Sequence, residues 1–193
     1  MFTGIVQAVG RIVSVTPGPA AMRIGIDPQA LPLDDVAIGD SIAVNGCCLT
    51  VVARNGALAF DVSHETLQCT AGLDRNGPVN LEKALRLSDR LGGHLMSGHV
   101  DGVGRVVAFD EDESSRRLVV DVPPELAHYI APKGSIAVQG VSLTVNRVDD
   151  TAFEVNLIPH TLVVTTLGTL HVNARVNLEV DLIARYVARL AER

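Results

Sequence analysis

The sequence predicts an all-β chain of two tandem, homologous small barrels followed by one C-terminal α-helix. Three observations carry that prediction. Eleven residues, Ser41-Ile-Ala-Val-Asn-Gly-Cys-Cys-Leu-Thr-Val51, return ninety-four positions later as Ser135-Ile-Ala-Val-Gln-Gly-Val-Ser-Leu-Thr-Val145, with eight of the eleven identical. Many short runs rich in Val and Ile follow one another at short intervals with no long helical pattern between them, the mark of antiparallel barrels or sandwiches. Beyond Asp181, Ile183, Val187 and Leu190 recur at helical spacing.

At 193 residues the chain holds one large domain or two small ones, and the repeat decides for two. Residues 1–95 are assigned to an N-terminal barrel with its connector, 96–180 to a C-terminal barrel and 181–193 to the helix. In chain order, the first strand candidate is Gly4-Ile-Val-Gln-Ala-Val-Gly-Arg-Ile-Val13, which returns as Gly98-His-Val-Asp-Gly-Val-Gly-Arg-Val-Val107 at the same offset. A Pro-Gly-Pro turn at 17–19, a short strand near 22–26 and a Pro-bearing surface segment at 27–40 follow. Their counterparts are a charged turn at 110–115, a strand at 117–122 and a short helix opened by Pro123-Pro124. Each repeated eleven-residue run reads as a strand bent or bulged at Gly46 or Gly140, where backbone passes close to something else. Strands at 57–63 and 152–157 come next, and Val79-Asn-Leu-Glu82 returns as Val176-Asn-Leu-Glu179. Asp181 sits where a carboxylate accepts from the free N–H groups of the final helix and favours its dipole.

Hydrophobic residues make up 47% of the chain but aromatics only 3%, so the cores are aliphatic. A net charge of −6 with no basic run argues against a nucleic-acid surface, which needs clustered Lys and Arg. No apolar run approaches the roughly 18 residues of a membrane span. The start lacks a basic region followed by an apolar one, so the chain reads as mature from residue 1. Cys47, Cys48 and Cys69 form no zinc spacing, and a cytoplasmic, reduced setting is expected. Adjacent in a strand, Cys47 and Cys48 point to opposite faces, one to the core and one toward a pocket. His94 and His99, five apart with no carboxylate motif between them, do not make a metal site.

Five motifs in order, Met1-Phe-Thr-Gly-Ile-Val6, Asn45-Gly-Cys-Cys-Leu-Thr-Val51, Gly92-Gly-His-Leu-Met-Ser-Gly-His-Val100, Gly140-Val-Ser-Leu-Thr-Val145 and Val176-Asn-Leu-Glu-Val-Asp181, resemble the riboflavin synthase alpha-chain family of lumazine-binding barrels. The resemblance spans essentially the whole chain. It implies two six-stranded Greek-key barrels and a homotrimer gathered by the C-terminal helix. It places the active site between the N-terminal barrel of one subunit and the C-terminal barrel of the next. It implies dismutation of two molecules of 6,7-dimethyl-8-ribityllumazine, one giving a four-carbon unit to the other, to yield riboflavin and 5-amino-6-ribitylaminouracil. The resemblance further implies that no metal or redox cofactor takes part and that lumazine synthase is a further protein partner to consider. Many relatives carry an acid just before the second glycine, where this chain has Gln139.

Two identical substrates need two related pockets, which duplication supplies. Donor and acceptor roles need the pockets to differ, as Cys48 differs from Ser142 and Ile5 from His99. By the resemblance Phe2, Cys48, His99, Ser142 and Asp181 carry the reaction, with Phe2 as an apolar wall or clamp, His99 moving a proton near neutral pH, Ser142 near the reaction centre, and Asp181 orienting His99 or holding substrate. Substrate binding is expected of Gly4, Ile5, Val6, Ser41, Cys48, Leu49, Thr50, Asp61, Val62, Ser63, His64, Glu65 and Thr66 in the first copy. The second-copy set is Gly98, His99, Val100, Lys133, Ser142, Leu143, Thr144, Ile158, Pro159, His160, Thr161, Leu162 and Val163. Each assignment has a plainer alternative, with Ser142 and Thr144 as strand hydroxyls bonded to backbone, Cys48 as an inert thiol, Phe2 as a frayed end, Lys133 as a solvated charge and Asp181 as a helix cap. Two rival functions stand beside the enzyme. One is an antenna-type relative that binds lumazine or flavin without chemistry; the other is a flavin oxidoreductase, for whose nicotinamide domain the repeats leave no room.

Overall fold

The repeated eleven residues form two strands and the turn between them, where the sequence suggested one bent strand. In the computed structural model, which describes residues 1–17 and 21–192, β3 (Ser41–Val44) and β4 (Cys47–Asn55) are joined by Asn45-Gly46. Their counterparts β9 (Ser135–Val138) and β10 (Val141–Val148) are joined by Gln139-Gly140. All four turn residues have positive φ, 46° and 83° in the first turn and 50° and 77° in the second. That is the two-residue hairpin turn whose twist matches the flanking strands. Part of the Pro-Gly-Pro turn expected at 17–19 lies outside the described residues.

Among the described residues twelve strands close two antiparallel barrels. The first contains β1 (Ala8–Pro17), β2 (Ala21–Asp27), β3, β4, β5 (Ala57–Ser63) and β6 (Gly77–Lys83) in the spatial order β1-β2-β5-β4-β3-β6. The second contains β7 (Gly102–Asp112), β8 (Ser115–Asp121), β9, β10, β11 (Ala152–Leu157) and β12 (Arg175–Val180) in the same cyclic order, a Greek key in each case. The pairing register slips between Ile12 and Ser14 in β1 and between Val106 and Ala108 in β7. It slips again between Val51 and Ala53 in β4 and between Val145 and Arg147 in β10. Bulges at matching places bend matching strands and let so few strands close. Among the described residues there are also four α-helices, α1 (His64–Cys69), α2 (Pro124–Ala127), α3 (Pro159–Val164) and α4 (Leu182–Ala191), and a 3-10 turn at Thr166–Thr169. The first and third follow β5 and β11, where the sequence pattern suggested none. Among the described residues no helix is long and apolar enough to cross a membrane.

Each barrel encloses its own aliphatic core. Ile12, Ile24, Ile26, Ile42, Val44, Leu58 and Phe60 fill the first, and Val106, Leu118, Val120, Ile136, Val138, Val145 and Phe153 the second, all at most 1% exposed. Each such side chain contributes about 1.5–3 kcal/mol of burial. The barrels meet turn to turn. A Cβ placed on Gly140 would lie 2.6 Å from the Gly46 nitrogen, and one on Gly46 2.8 Å from the Gly140 nitrogen. The close approach expected at these glycines is thus made by each upon the other.

A reciprocal network locks this junction. Asn80 of the first barrel donates to the Gln139 carbonyl at 2.9 Å and accepts from Thr166 N–H at 2.8 Å. Asn177 of the second donates to the Asn45 carbonyl at 3.0 Å and accepts from Ala71 N–H at 2.7 Å. Gln139 acts within its own barrel as well, since its side-chain oxygen accepts from Asn177 N–H at 3.1 Å, as Asn45 accepts from Asn80 N–H at 2.8 Å. An amide suffices there, which accounts for a chain without an acid at that position.

Before each barrel begins, a short strap crosses to the other. Phe2 N–H donates to the Met96 carbonyl at 2.8 Å and Met96 N–H returns to Phe2 at 3.1 Å, forming an antiparallel ribbon between the barrels. Residues 4–7 and 98–101, which the sequence pattern joins to the first strand of each half, precede β1 and β7 and lie outside them.

Candidate active site

Strand alternation sets the site residues. In β4, Cys47, Leu49 and Val51 are buried, while Cys48 is half-buried and Thr50 exposed. Burial pushes the Cys47 thiol up to about 12, which makes it inert. In β10, Val141 and Val145 are buried, Ser142 is half-buried and Thr144 exposed. Cys48 with Thr50, and Ser142 with Thr144, therefore occupy equivalent outer faces at the rims of the two barrels.

The straps complete these rims crosswise. The Gly98 carbonyl accepts from Cys48 N–H at 2.7 Å, and the Gly4 carbonyl accepts from Ser142 N–H at 2.9 Å. Val100 packs on the first core and Val6 on the second. The two sets grouped by sequence order are thus exchanged: Gly4, Ile5 and Val6 accompany Ser142, while Gly98, His99 and Val100 accompany Cys48. Crossing is enforced by close packing. A Cβ on Gly98 would fall 2.6 Å from Cys48 Cβ, and one on Gly4 2.6 Å from Ser142 Cβ.

The first rim encloses an open cavity of about 230 Å³ lined by Cys48, Glu65, Thr66, Cys69, Gly98, His99 and Val100, among others. Glu65 and Thr66 reach it on α1, whose N-terminus is held by Ser63 Oγ accepting from Thr66 N–H at 3.1 Å; His64, beside them, is exposed. The corresponding α3 begins with Pro159, whose missing N–H costs nothing at a first helical position. It carries half-buried Thr161 and Leu162 and exposed His160, with Ile158 and Val163 exposed at its two ends.

Other expected site residues lie elsewhere. Val62 and Leu49 belong to the first core. Leu143 packs against the second core. Asp61 is an exposed partner of Arg23, joined through two bonds of 2.7 and 2.8 Å. Ser41 pairs with Thr50 across β3 and β4 and lines a separate cavity with Asp35, Lys83 and Arg86. Lys133 occupies a turn at φ 67° with its side chain exposed. Phe2 is fully buried, packed with Met96, Ala43 and Ala137 between the barrels and touching Cys48 from beneath. It is packed between the barrels and is not among the residues that line the first cavity.

Sequence reasoning missed His94. Its Nδ1 lies 2.7 Å from Ser142 Oγ, the residue is 7% exposed, and its Nε2 is buried without a hydrogen-bond partner among the described residues. Burial lowers the His94 pKa from its usual 6.5, and the negative charge of Asp181 opposes that shift. Asp181 thus acts electrostatically on His94, where the sequence pairs it with His99; it also caps α4, accepting from Ile183 N–H at 2.9 Å. A neutral imidazole beside Ser142 either accepts from Ser142 Oγ–H at Nδ1 and carries its proton at Nε2, or donates Nδ1–H to Ser142 Oγ in the opposite tautomer. The ninety-four-residue offset pairs Met1 with Leu95, so comparison of the two halves never reaches His94.

A pH effect follows. A histidine with a depressed folded pKa contributes stability that is present above its unfolded value near 6.5 and lost as pH falls through the folded value. The melting temperature is expected to fall on acidification below pH 6.5 more steeply in the native chain than in His94→Gln. Parallel curves for the two proteins would contradict this.

A model of the lumazine binding domain family matches residues 3–84 and again residues 97–181, once on each barrel. Riboflavin synthase of Photobacterium phosphoreum is 45% identical over 193 residues, which cover 98% of this chain and 88% of that relative. Riboflavin synthase of Escherichia coli (strain K12) is 42% identical over 197 residues, covering 100% of this chain and 92% of the relative. Among solved structures, LumP complexed with riboflavin superposes with a TM-score of 0.83 at 30% identity, over 93% of this chain and 99% of that one. LumP complexed with 6,7-dimethyl-8-(1'-D-ribityl) lumazine gives a TM-score of 0.81 at the same identity and coverage. A family match on each barrel, with relatives above 40% identity along almost the whole sequence, shows that this chain belongs to the lumazine binding domain family, alongside the riboflavin synthases.

Proposed function

We propose that this chain catalyses the dismutation of two 6,7-dimethyl-8-ribityllumazine molecules, moving a four-carbon unit from one to the other to release riboflavin and 5-amino-6-(D-ribitylamino)uracil. The observation that carries this reading is the pair of related but unlike rims on one chain. One presents Cys48, Thr66, Glu65 and His99 around a cavity; the other presents Ser142 and Thr144 on the matching outer face of β10, beside the Gly4 strap and with His94 against the serine. Two copies of one substrate fit two copies of one scaffold, and the differing side chains let one copy give and the other receive.

Positioning supplies the largest share of the rate. Holding two heterocycles face to face replaces roughly 7–11 kcal/mol of barrier with binding energy. The remaining work is proton movement at the acidic methyl on C7 of one lumazine and addition at C7 of the other. Ser142 Oγ, with His94 at 2.7 Å to take and return its proton, serves the second rim. Cys48 and His99 serve the first, Asp181 biases His94 toward protonation when a proton must be held, and Phe2 supports the Cys48 strand. Strap backbone offers the paired N–H and C=O groups that suit a pyrimidinedione edge, and Thr50, Thr66, Thr144, Thr161 and Glu65 suit a ribityl chain.

The working assembly is a homotrimer in which the N-terminal barrel of one subunit faces the C-terminal barrel of the next. The first cavity falls short of the roughly 300–1,000 Å³ that encloses a ligand, so a facing surface is needed to close it. On α4, Ile183, Tyr186, Val187 and Leu190 are 59–67% exposed, an apolar face available to neighbouring copies. Arg185, from the same helix, bonds Asp101 and fixes the direction of that face. A lumazine synthase shell is a further partner for such a trimer.

Purified chain given the lumazine alone, with a chelator and no nicotinamide nucleotide, is expected to develop the absorbance of riboflavin. Tight binding without that absorbance would favour the antenna-type reading and contradict this one.

A further inference from the structure

Two buried carboxylates are not used by this scheme. Glu82 in β6 and Glu179 in β12 are 4% and 3% exposed, and neither has an ion-pair partner among the described residues. Each faces donors alone. Glu82 Oε1 accepts from Thr3 N–H and Thr3 Oγ1–H, both at 2.7 Å, and its Oε2 accepts from Gly4 N–H at 2.9 Å. Glu179 Oε1 accepts from Ser97 N–H at 2.6 Å and Ser97 Oγ–H at 2.7 Å, and its Oε2 from Gly98 N–H at 3.0 Å. Burial raises both carboxyl pKa values and the strap donors oppose the shift; the charge of Asp101 adds to the rise at Glu179, and the chain's amino terminus opposes it at Glu82.

The geometry points to Glu82 and Glu179 as positioning residues that act crosswise, each built into one barrel and fixing the strap that forms part of the other barrel's rim. Glu82, in the N-terminal barrel, holds Thr3 and Gly4, and Gly4 lies on Ser142 of the C-terminal barrel. Glu179, in the C-terminal barrel, holds Ser97 and Gly98, and Gly98 lies on Cys48 of the N-terminal barrel. Both strap glycines sit at positive φ, 77° and 78°, with no side chain of their own to anchor them. A glycine backbone is the most costly to order, so a charge-assisted clamp on its N–H is what keeps each strap flat against its rim. Glutamine cannot replace the acid. It has the same shape, but its NH₂ must face at least one of the three donors, leaving that donor unpaired. The consequence for lumazine turnover rests on the function proposed above; the clamp itself is tested without substrate.

Cys48 reports on the Gly98 strap, exposed Cys69 is an internal reference, and buried Cys47 signals general unfolding. Native protein and variants are alkylated with iodoacetamide, and the rate at each cysteine is read by peptide mass spectrometry. Glu179→Gln is expected to raise the Cys48 rate, relative to Cys69, by about ten- to a hundredfold, the factor that one charge-assisted hydrogen bond is worth, with Cys47 still protected. Glu82→Gln, which frees the other strap, is expected to leave Cys48 within about twofold of native. Ser97→Ala, which removes one donor and leaves the carboxylate, is expected to raise the Cys48 rate severalfold and carries the test if Glu179→Gln does not fold. Ser97→Thr keeps the clamp, since Thr3 makes the same bonds in the other copy, and restores the native rate. Equal acceleration by Glu82→Gln and Glu179→Gln, or an unchanged Cys48 rate in both Glu179→Gln and Ser97→Ala, would overturn the inference. Because no substrate is present, neither result depends on which reaction the rims perform.

Discussion

Replacing Ser142 by alanine is expected to lower kcat for riboflavin formation by about 10²–10⁴-fold, the range lost when a positioned proton-transfer group is removed. The hydroxyl stands on an outward position of β10, beneath the Gly4 strap and 2.7 Å from a buried imidazole. No other hydroxyl at either rim has such a partner among the hydrogen bonds of the described residues. Its removal also leaves His94 Nδ1 buried without a bond, at a cost of about 1–3 kcal/mol in stability, so folding must be checked by circular dichroism in the same preparation. Arg11→Ala, an exposed change on β1, serves as the control and is expected to stay within about twofold of native. Cys48→Ala is expected to cost less than Ser142→Ala, because among the described residues Ser142 Oγ is hydrogen-bonded to an imidazole and Cys48 Sγ makes no hydrogen bond. Equal losses in Ser142→Ala and Arg11→Ala would refute the site.

The largest effect on stability is expected at the junction of the two hairpin turns. Gly140→Ala places a methyl 2.6 Å from the Gly46 nitrogen, where backbone and not a movable side-chain end must yield, and does so at φ 77°. Left-handed strain and overpacking together cost about 2–4 kcal/mol, a fall of roughly 5–15 °C in melting temperature for a chain of this length. Gly56→Ala is the matched comparison: its φ is 75°, but nothing lies within 4 Å of the added atom. It is expected to cost only the strain, about 1 kcal/mol. If the two substitutions lowered the melting temperature equally, turn-to-turn contact would not be what joins the barrels. The reciprocal bonds of Asn80 and Asn177 make the same point from the side chains, since each satisfies backbone groups on the barrel it does not belong to.

How far the sequence reveals this molecule depends on how local each feature is. Duplication, two barrels, an aliphatic core in each and the Asp181-capped helix all follow from patterns within a few residues or from one fixed offset. So does the contrast between Cys47 and Cys48, because period-two alternation is a property of a single strand. The hairpin turns are legible but easily misread. Asn45-Gly46 between two apolar runs is a strong two-residue turn signal, and Gln139 in the same place obscures it. The short helices α1 and α3 have signals as well, a Ser63 cap and a Pro159 at the first turn, outweighed by the strand-rich surroundings. Other features are out of reach. Nothing in the vicinity of Gly4 or Gly98 states which barrel each strap will cover, and a division at residue 95 leaves His99 with the barrel whose rim it does not complete. Phe2 illustrates the same limit: next to the chain start it resembles a loose end, yet its pairing with Met96 makes it the centre of the inter-barrel cluster.

Two unlike rims that each take the same ligand are the foundation of the proposed chemistry. Equilibrium titration of the Ser142→Ala variant, in which chemistry is slow enough to count binding, with 6,7-dimethyl-8-ribityllumazine tests that most directly. Two molecules per chain, bound with different affinities, is the predicted result; a single molecule per chain at saturation, with no second binding step, would contradict it.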